Sequence, residues 1–74
     1  MKITVPYDHD PTDLGAIQMG ISQYAAEPTA WKHAYRDTVD GQRIVWARFH
    51  NAAGKVVVWI RDRNGARIAR TITV

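Results

Sequence analysis

Three histidines and a short acidic run are the residues from which chemistry could be built. His9 stands between Asp8 and Asp10, a spacing in which a carboxylate can orient an imidazole for proton transfer or share a divalent cation with it. The same residues have a simpler use. Asp10 precedes Pro11 and Thr12 and reads as a helix cap, with Asp8 as a loop acid. His33 and His50 have no third ligand at a metal-binding spacing, so no metal site is expected. Ser22, the only serine, lacks the flanking glycines of a nucleophile elbow. The glycines fall in a helical pattern (Gly15, Gly20) or in turns (Gly41, Gly54, Gly65) rather than in a phosphate-binding loop. The chain has no cysteine, which removes disulfides, thiolate zinc sites and cysteine nucleophiles together. The expectation is a protein that is not an enzyme and uses no cofactor.

A stronger signal comes from Val45-Trp46-Ala47-Arg48-Phe49-His50-Asn51 and Val58-Trp59-Ile60-Arg61-Asp62-Arg63-Asn64, which share V-W-x-R-x-x-N at an offset of thirteen. Tryptophan and arginine are the side chains most enriched at binding hot spots, and the same pair serves single-strand nucleic-acid binders, with bases stacked on rings and phosphates held by guanidinium groups. A third use is structural, the tryptophans being hidden as a second small core by curling of the sheet or by the N-terminal segment.

The elements that must position these residues divide the chain in two. Ile3, Val5 and Tyr7 alternate in a short first strand over residues 1–7, with Pro6 marking an edge. Asp10-Pro11-Thr12-Asp13 starts a helix, and Leu14, Ile17, Ile21 and Tyr24 give one apolar stripe that ends before Glu27-Pro28. From Trp31 onward the period becomes two, predicting strands over 31–39, 42–50, 55–62 and 66–74 joined by short turns. The resulting expectation is a single α+β domain over residues 1–74, β-α-β-β-β-β, with one helix packed on an antiparallel meander.

Faces follow from register. A four-residue loop over 51–54 pairs His50 with Lys55 and sets Trp46 across from Trp59, leaving Val45, Ala47, Phe49, Val56, Val58 and Ile60 for the helix to cover. The turn 62–65 sends Ile68, Ile72 and Val74 to the same apolar side and Arg67 to the other, with Arg70 inward at the edge. The first hairpin has two registers. A two-residue Asp40-Gly41 turn adds Trp31, His33 and Tyr35 to the Trp46 face, whereas a bulged turn adds Lys32, Ala34 and Arg36 and buries the aromatics; the second is preferred because it hides Trp31 and Tyr35. The uncovered face is then a partner-binding surface of Trp46, Trp59, Arg48, Arg61, Arg67 and Arg36.

Seventy-four residues, 46% hydrophobic and 23% charged, describe one small folded domain. Its net charge of +3 is unevenly placed: residues 1–31 carry one lysine against four acids, and residues 32–74 carry nine basic residues against three acids. With no signal-like or membrane-spanning apolar run, a cytoplasmic protein with no membrane contact is expected. The meander tail is loosely similar to that of small toxin-type ribonucleases, but their two-helix preface and basic catalytic cluster have no counterpart here. The reading reached is a non-enzymatic binding protein that docks a host protein or nucleoprotein complex, as a phage or mobile-element inhibitor of the anti-CRISPR kind would. The alternatives are direct nucleic-acid binding through the basic half, which carries a steep salt dependence, and a homodimer closed over the two tryptophans.

Overall fold

The computed structural model describes residues 1–10, 12, 15–23, 26–50 and 52–74, and among these it is entirely β, with no helix. Seven strands run in chain order: β1 (Lys2–Pro6), β2 (Gln18–Ser22), β3 (Lys32–His33), β4 (Tyr35–Val39), β5 (Gln42–Arg48), β6 (Lys55–Arg61) and β7 (Arg67–Thr73). They form two antiparallel sheets, one ordered β1-β5-β4 and the other β3-β2-β6-β7. The expected α+β class is therefore corrected to all-β. The reason lies in residues 15–22. Ile17, Met19 and Ile21 also alternate at period two, β-branched Ile17 and Ile21 favour strand, and Gly15 and Gly20 weaken a helix. Pairing of Met19 with Ile60 and Ile21 with Val58 buries that alternate set against a long apolar strand, which the helical stripe could not match. Pro11, Asp13, Leu14, Tyr24 and Ala25, on which part of the expected helix rested, lie outside the described residues. Asp10 does accept hydrogen bonds from the Thr12 amide (2.9 Å) and hydroxyl (2.8 Å), a local turn.

The five sequence-predicted strands all exist, but their pairing differs at one junction. β5 and β6 do not form a hairpin. Between Arg48 and Lys55 the chain crosses from the three-stranded sheet to the four-stranded one, so Trp46 lies beside Thr4 and Tyr35 while Trp59 lies beside Gly20 and Ala69. The expected strand 31–39 is likewise split at Ala34, which is 1% exposed and donates its amide to the Ile17 carbonyl (2.8 Å), so β3 joins one sheet and β4 the other.

The inner faces of the two sheets share one core, with Val5, Met19, Val45, Val56, Val58 and Ile60 at 2% exposure or less. Each such side chain contributes about 1.5–3 kcal/mol by leaving water. The V-W-x-R repeat now has a structural meaning. β5 and β6 are interior strands of their respective sheets, Val45 and Val58 both point into the shared core at 0% exposure, and the tryptophans and arginines point out of it on opposite sides. At β7 the expected facing holds, with Ile68, Ile72 and Val74 against the core and Arg67, Ala69, Thr71 and Thr73 exposed; Arg70, opposite Val58, emerges at the edge. Among the described residues no helix is long and apolar enough to cross a membrane.

Candidate functional site

The first hairpin decides what the outer side of the three-stranded sheet presents. Val39 pairs with Gln42 across Asp40 (φ 51°) and Gly41 (φ 79°), a two-residue turn with both central residues left-handed, whose twist suits the flanking strands. The preferred bulged register is thus overturned, because Asp tolerates this conformation and Gly favours it. Tyr35 consequently sits opposite Trp46 and is 51% exposed, instead of buried. Arg36, expected on the docking face, lies opposite Val45 and turns inward. Its guanidinium donates to the Gly15 carbonyl, and its Nε is buried without a partner.

On that outer side the Tyr35 and Trp46 rings stack at 4.7 Å and 28°, and His33 meets Tyr35 edge-on at 4.8 Å. The Lys2 Nζ lies 4.4 Å from the Trp46 ring and the Arg48 guanidinium 5.6 Å. Lys32 stands 5.2 Å from the Phe49 ring and donates to the Arg48 carbonyl. A cleft of about 320 Å³ opens here, lined by Lys32, His33, Tyr35, Trp46 and Arg48. Among the described residues its walls hold aromatic and basic side chains and no carboxylate. Asp37, the acid two residues along β4 on the same side, accepts a hydrogen bond from the Thr38 amide (2.7 Å).

The opposite side of the molecule carries Trp59, Arg61 and Arg67, and each is engaged within the chain. Arg61 donates to the Gln18 carboxamide (2.7 Å) and lies 4.2 Å from the Trp31 ring. Arg67 pairs with Glu27 at 2.5 Å. Residues 27–31 act as a strap over this sheet: a methyl group on Gly20, the neighbour of Trp59, would sit 2.5 Å from Pro28 Cγ and 2.8 Å from the Ala30 carbonyl oxygen. Trp59 is half-buried and its Nε1 is sealed from solvent with no acceptor. The structural use of a tryptophan therefore applies to Trp59, with the strap rather than the N-terminal segment beside it. The structure does not bring the six expected site residues together: Trp46 and Arg48 share one outer face, Trp59, Arg61 and Arg67 the other, and Arg36 belongs to neither. Tyr35, His33, Lys2 and Lys32 complete the first group, and the Asp-Gly dipeptide was the signal that could have found Tyr35 and His33.

Residues for acid–base or metal chemistry are dispersed. Asp8 is held by Arg43 at 3.0 Å on the surface, Asp10 by Thr12, and His9 is 9% exposed with both ring nitrogens unpartnered. No group of three or more metal-binding side chains occurs among the described residues. A polar cleft of about 270 Å³ beside His9 includes Tyr7, Arg36 and Asp62. Burial, and secondarily the Asp62 charge, raise the Tyr7 pKa against the opposing effect of Arg36. Asp62 is itself occupied in its turn, accepting from the Asn64 (2.9 Å) and Ala66 (3.0 Å) amides. A depression of about 570 Å³ beside the Asp40-Gly41 turn has Asp8–Arg43 as its ion pair among the described residues. Compared with known proteins, the chain matches no family model, no curated protein and no solved structure.

Proposed function

We propose that this chain is a non-enzymatic binding protein that docks a macromolecular partner on the outer side of its three-stranded sheet, through Tyr35, Trp46 and Arg48. The observation that carries this reading is the contrast between the two outer faces. On the Trp59 side Arg61 is bonded to the Gln18 side chain and Arg67 is paired with the Glu27 carboxylate. On the Trp46 side a half-exposed tyrosine is held flat against a tryptophan, and no carboxylate pairs with Lys2, Lys32 or Arg48 among the described residues. Rigid aromatic rings flanked by cations bind at small entropic cost, which is why such side chains dominate binding energies.

A chain of this size acts on its partner by covering a surface, the mode of a phage or mobile-element inhibitor that occludes a host protein or nucleoprotein complex. The test is capture from a bacterial lysate, with and without nuclease, by wild type, Tyr35→Ala, Arg48→Ala and Arg67→Ala, each first shown to be folded. Loss of the captured partner in the Tyr35 and Arg48 variants with retention in Arg67→Ala supports the reading. Capture that depends on Arg67 and ignores Tyr35 moves the docking surface to the opposite face.

A further inference from the structure

Resting on that docking face, we infer that the component of a nucleoprotein partner seated on the Tyr35–Trp46 face is single-stranded nucleic acid, bound by base stacking on Tyr35 and by phosphate contacts to Lys2, Lys32 and Arg48. Three features of the face separate a nucleic acid from a protein partner.

The first is charge complementarity. The cleft is lined by Lys32, His33, Tyr35, Trp46 and Arg48, with Lys2 beside Trp46. The charges of these lysines and this arginine have no carboxylate counterpart among the described residues, whose ion pairs join Arg43 to Asp8 and Arg67 to Glu27. A polyanion supplies the missing charge along a line, whereas a protein surface supplies it only at matching points.

The second is the kind of apolar surface on offer. A protein hot spot is an anchor ringed by further contacts that exclude water from it. Here the flat face of a tyrosine is bordered by His33, lysine and arginine, and the largest exposed hydrophobics besides Tyr35 are Met1 and Val39, neither of which lines the cleft. A nucleobase needs only the flat face. Tyr35 is already stacked on Trp46 at 4.7 Å, so a base added to it extends an existing two-ring stack.

The third is shape. The rings stand on the outer side of a three-stranded sheet and do not project from a helix or an arm that could enter a duplex groove. Bases paired in a duplex are closed to stacking on a side chain, and unpaired bases are open to it.

The experiment is fluorescence anisotropy of a labelled oligothymidylate of about twelve nucleotides, a length that covers a small β-domain, titrated with the full chain at several salt concentrations. The expected result is binding that weakens with salt at a logarithmic slope of about −2, the value for roughly three phosphates neutralised on a single strand. Tyr35→Ala should lose about tenfold or more in affinity, as expected for one base stacked on an aromatic ring. Lys32→Gln with Arg48→Gln should flatten the salt slope, while Arg67→Ala leaves both unchanged. A duplex of the same length should bind more weakly than the single strand.

Failure to bind the strand, equal affinity for the duplex, or binding indifferent to Tyr35→Ala each overturns the inference. If the strand does not bind yet a nuclease-resistant protein is captured from lysate in a Tyr35-dependent manner, the docking face stands and the nucleic-acid partner falls. If neither strand nor protein depends on Tyr35, the docking face falls with it.

Discussion

Replacing Gly20 by alanine gives opposite results for a helix and for the strand observed. In an exposed helix interior the change raises stability by about 0.8–1 kcal/mol, because glycine has the greater backbone freedom to lose. In the structure Gly20 lies in β2 beside Trp59, and the added methyl meets Pro28 Cγ at 2.5 Å and the Ala30 carbonyl oxygen at 2.8 Å, where ordinary contacts begin at 3.4 Å. Residues 28–30 must withdraw by about 0.9 Å, and the obstacle includes backbone as well as a stiff proline ring. Overpacking of this kind costs about 1–3 kcal/mol. With roughly 4–8 °C of Tm per kcal/mol in a domain of this size, the midpoint should fall by about 10 °C. The assay is thermal unfolding followed by circular dichroism, with the pre-transition spectrum confirming that the β fold is kept. A midpoint raised by a few degrees would refute both the strand assignment of residues 18–22 and the strap over them.

Other outcomes follow from single features of the fold. His9→Leu removes a buried imidazole whose two nitrogens have no partner among the described residues, and should raise stability by about 1 kcal/mol in chemical denaturation; a loss would show that the ring is hydrogen-bonded. Gly41→Ala forces a methyl-bearing residue to φ 79° with nothing nearby to clash, so it should cost about 1–2 kcal/mol by backbone conformation alone, read from the urea midpoint. Tyr7 keeps its proton in the folded state beyond its ordinary pKa of 10.0, chiefly because it is partly buried. The unfolded chain therefore loses that proton first, so stability should fall as pH rises through that range, and Tyr7→Phe should flatten the decline. An equal decline in both proteins would remove Tyr7 as its source.

The sequence was most legible where strand-prone runs are bounded by glycine-containing turns. Residues 42–48, 55–61 and 67–73 are such runs, and all three are strands with Val45, Ala47, Val56, Val58, Ile60, Ile68 and Ile72 against the core, as expected. Residues 14–24 satisfied two periods at once. Leu14, Ile17, Ile21 and Tyr24 fit a helix, Ile17, Met19 and Ile21 fit a strand, and only the need of β6 for a second neighbour decides between them. That need is a tertiary fact invisible to local pattern. The same holds for the passage from β5 to β6, because a short loop between two strands suits a hairpin and a crossing between sheets equally well. At the candidate face, a preference for burying aromatics sends Tyr35 inward, although the Asp40-Gly41 dipeptide favours the turn that exposes it beside Trp46. The V-W-x-R repeat was sound as strand grammar. Its two tryptophans stand on opposite outer faces because β5 and β6 belong to different sheets.

The most direct test of the account is a residue-by-residue map of where a single-stranded oligonucleotide touches the protein, obtained from backbone amide and tryptophan indole chemical shifts during titration. The changes should concentrate at Lys2, Lys32, His33, Tyr35, Trp46 and Arg48, with the Trp59 indole and the amides of β7 unmoved. Changes centred on Trp59, Arg61 and Arg67, or none at saturating oligonucleotide, would contradict it.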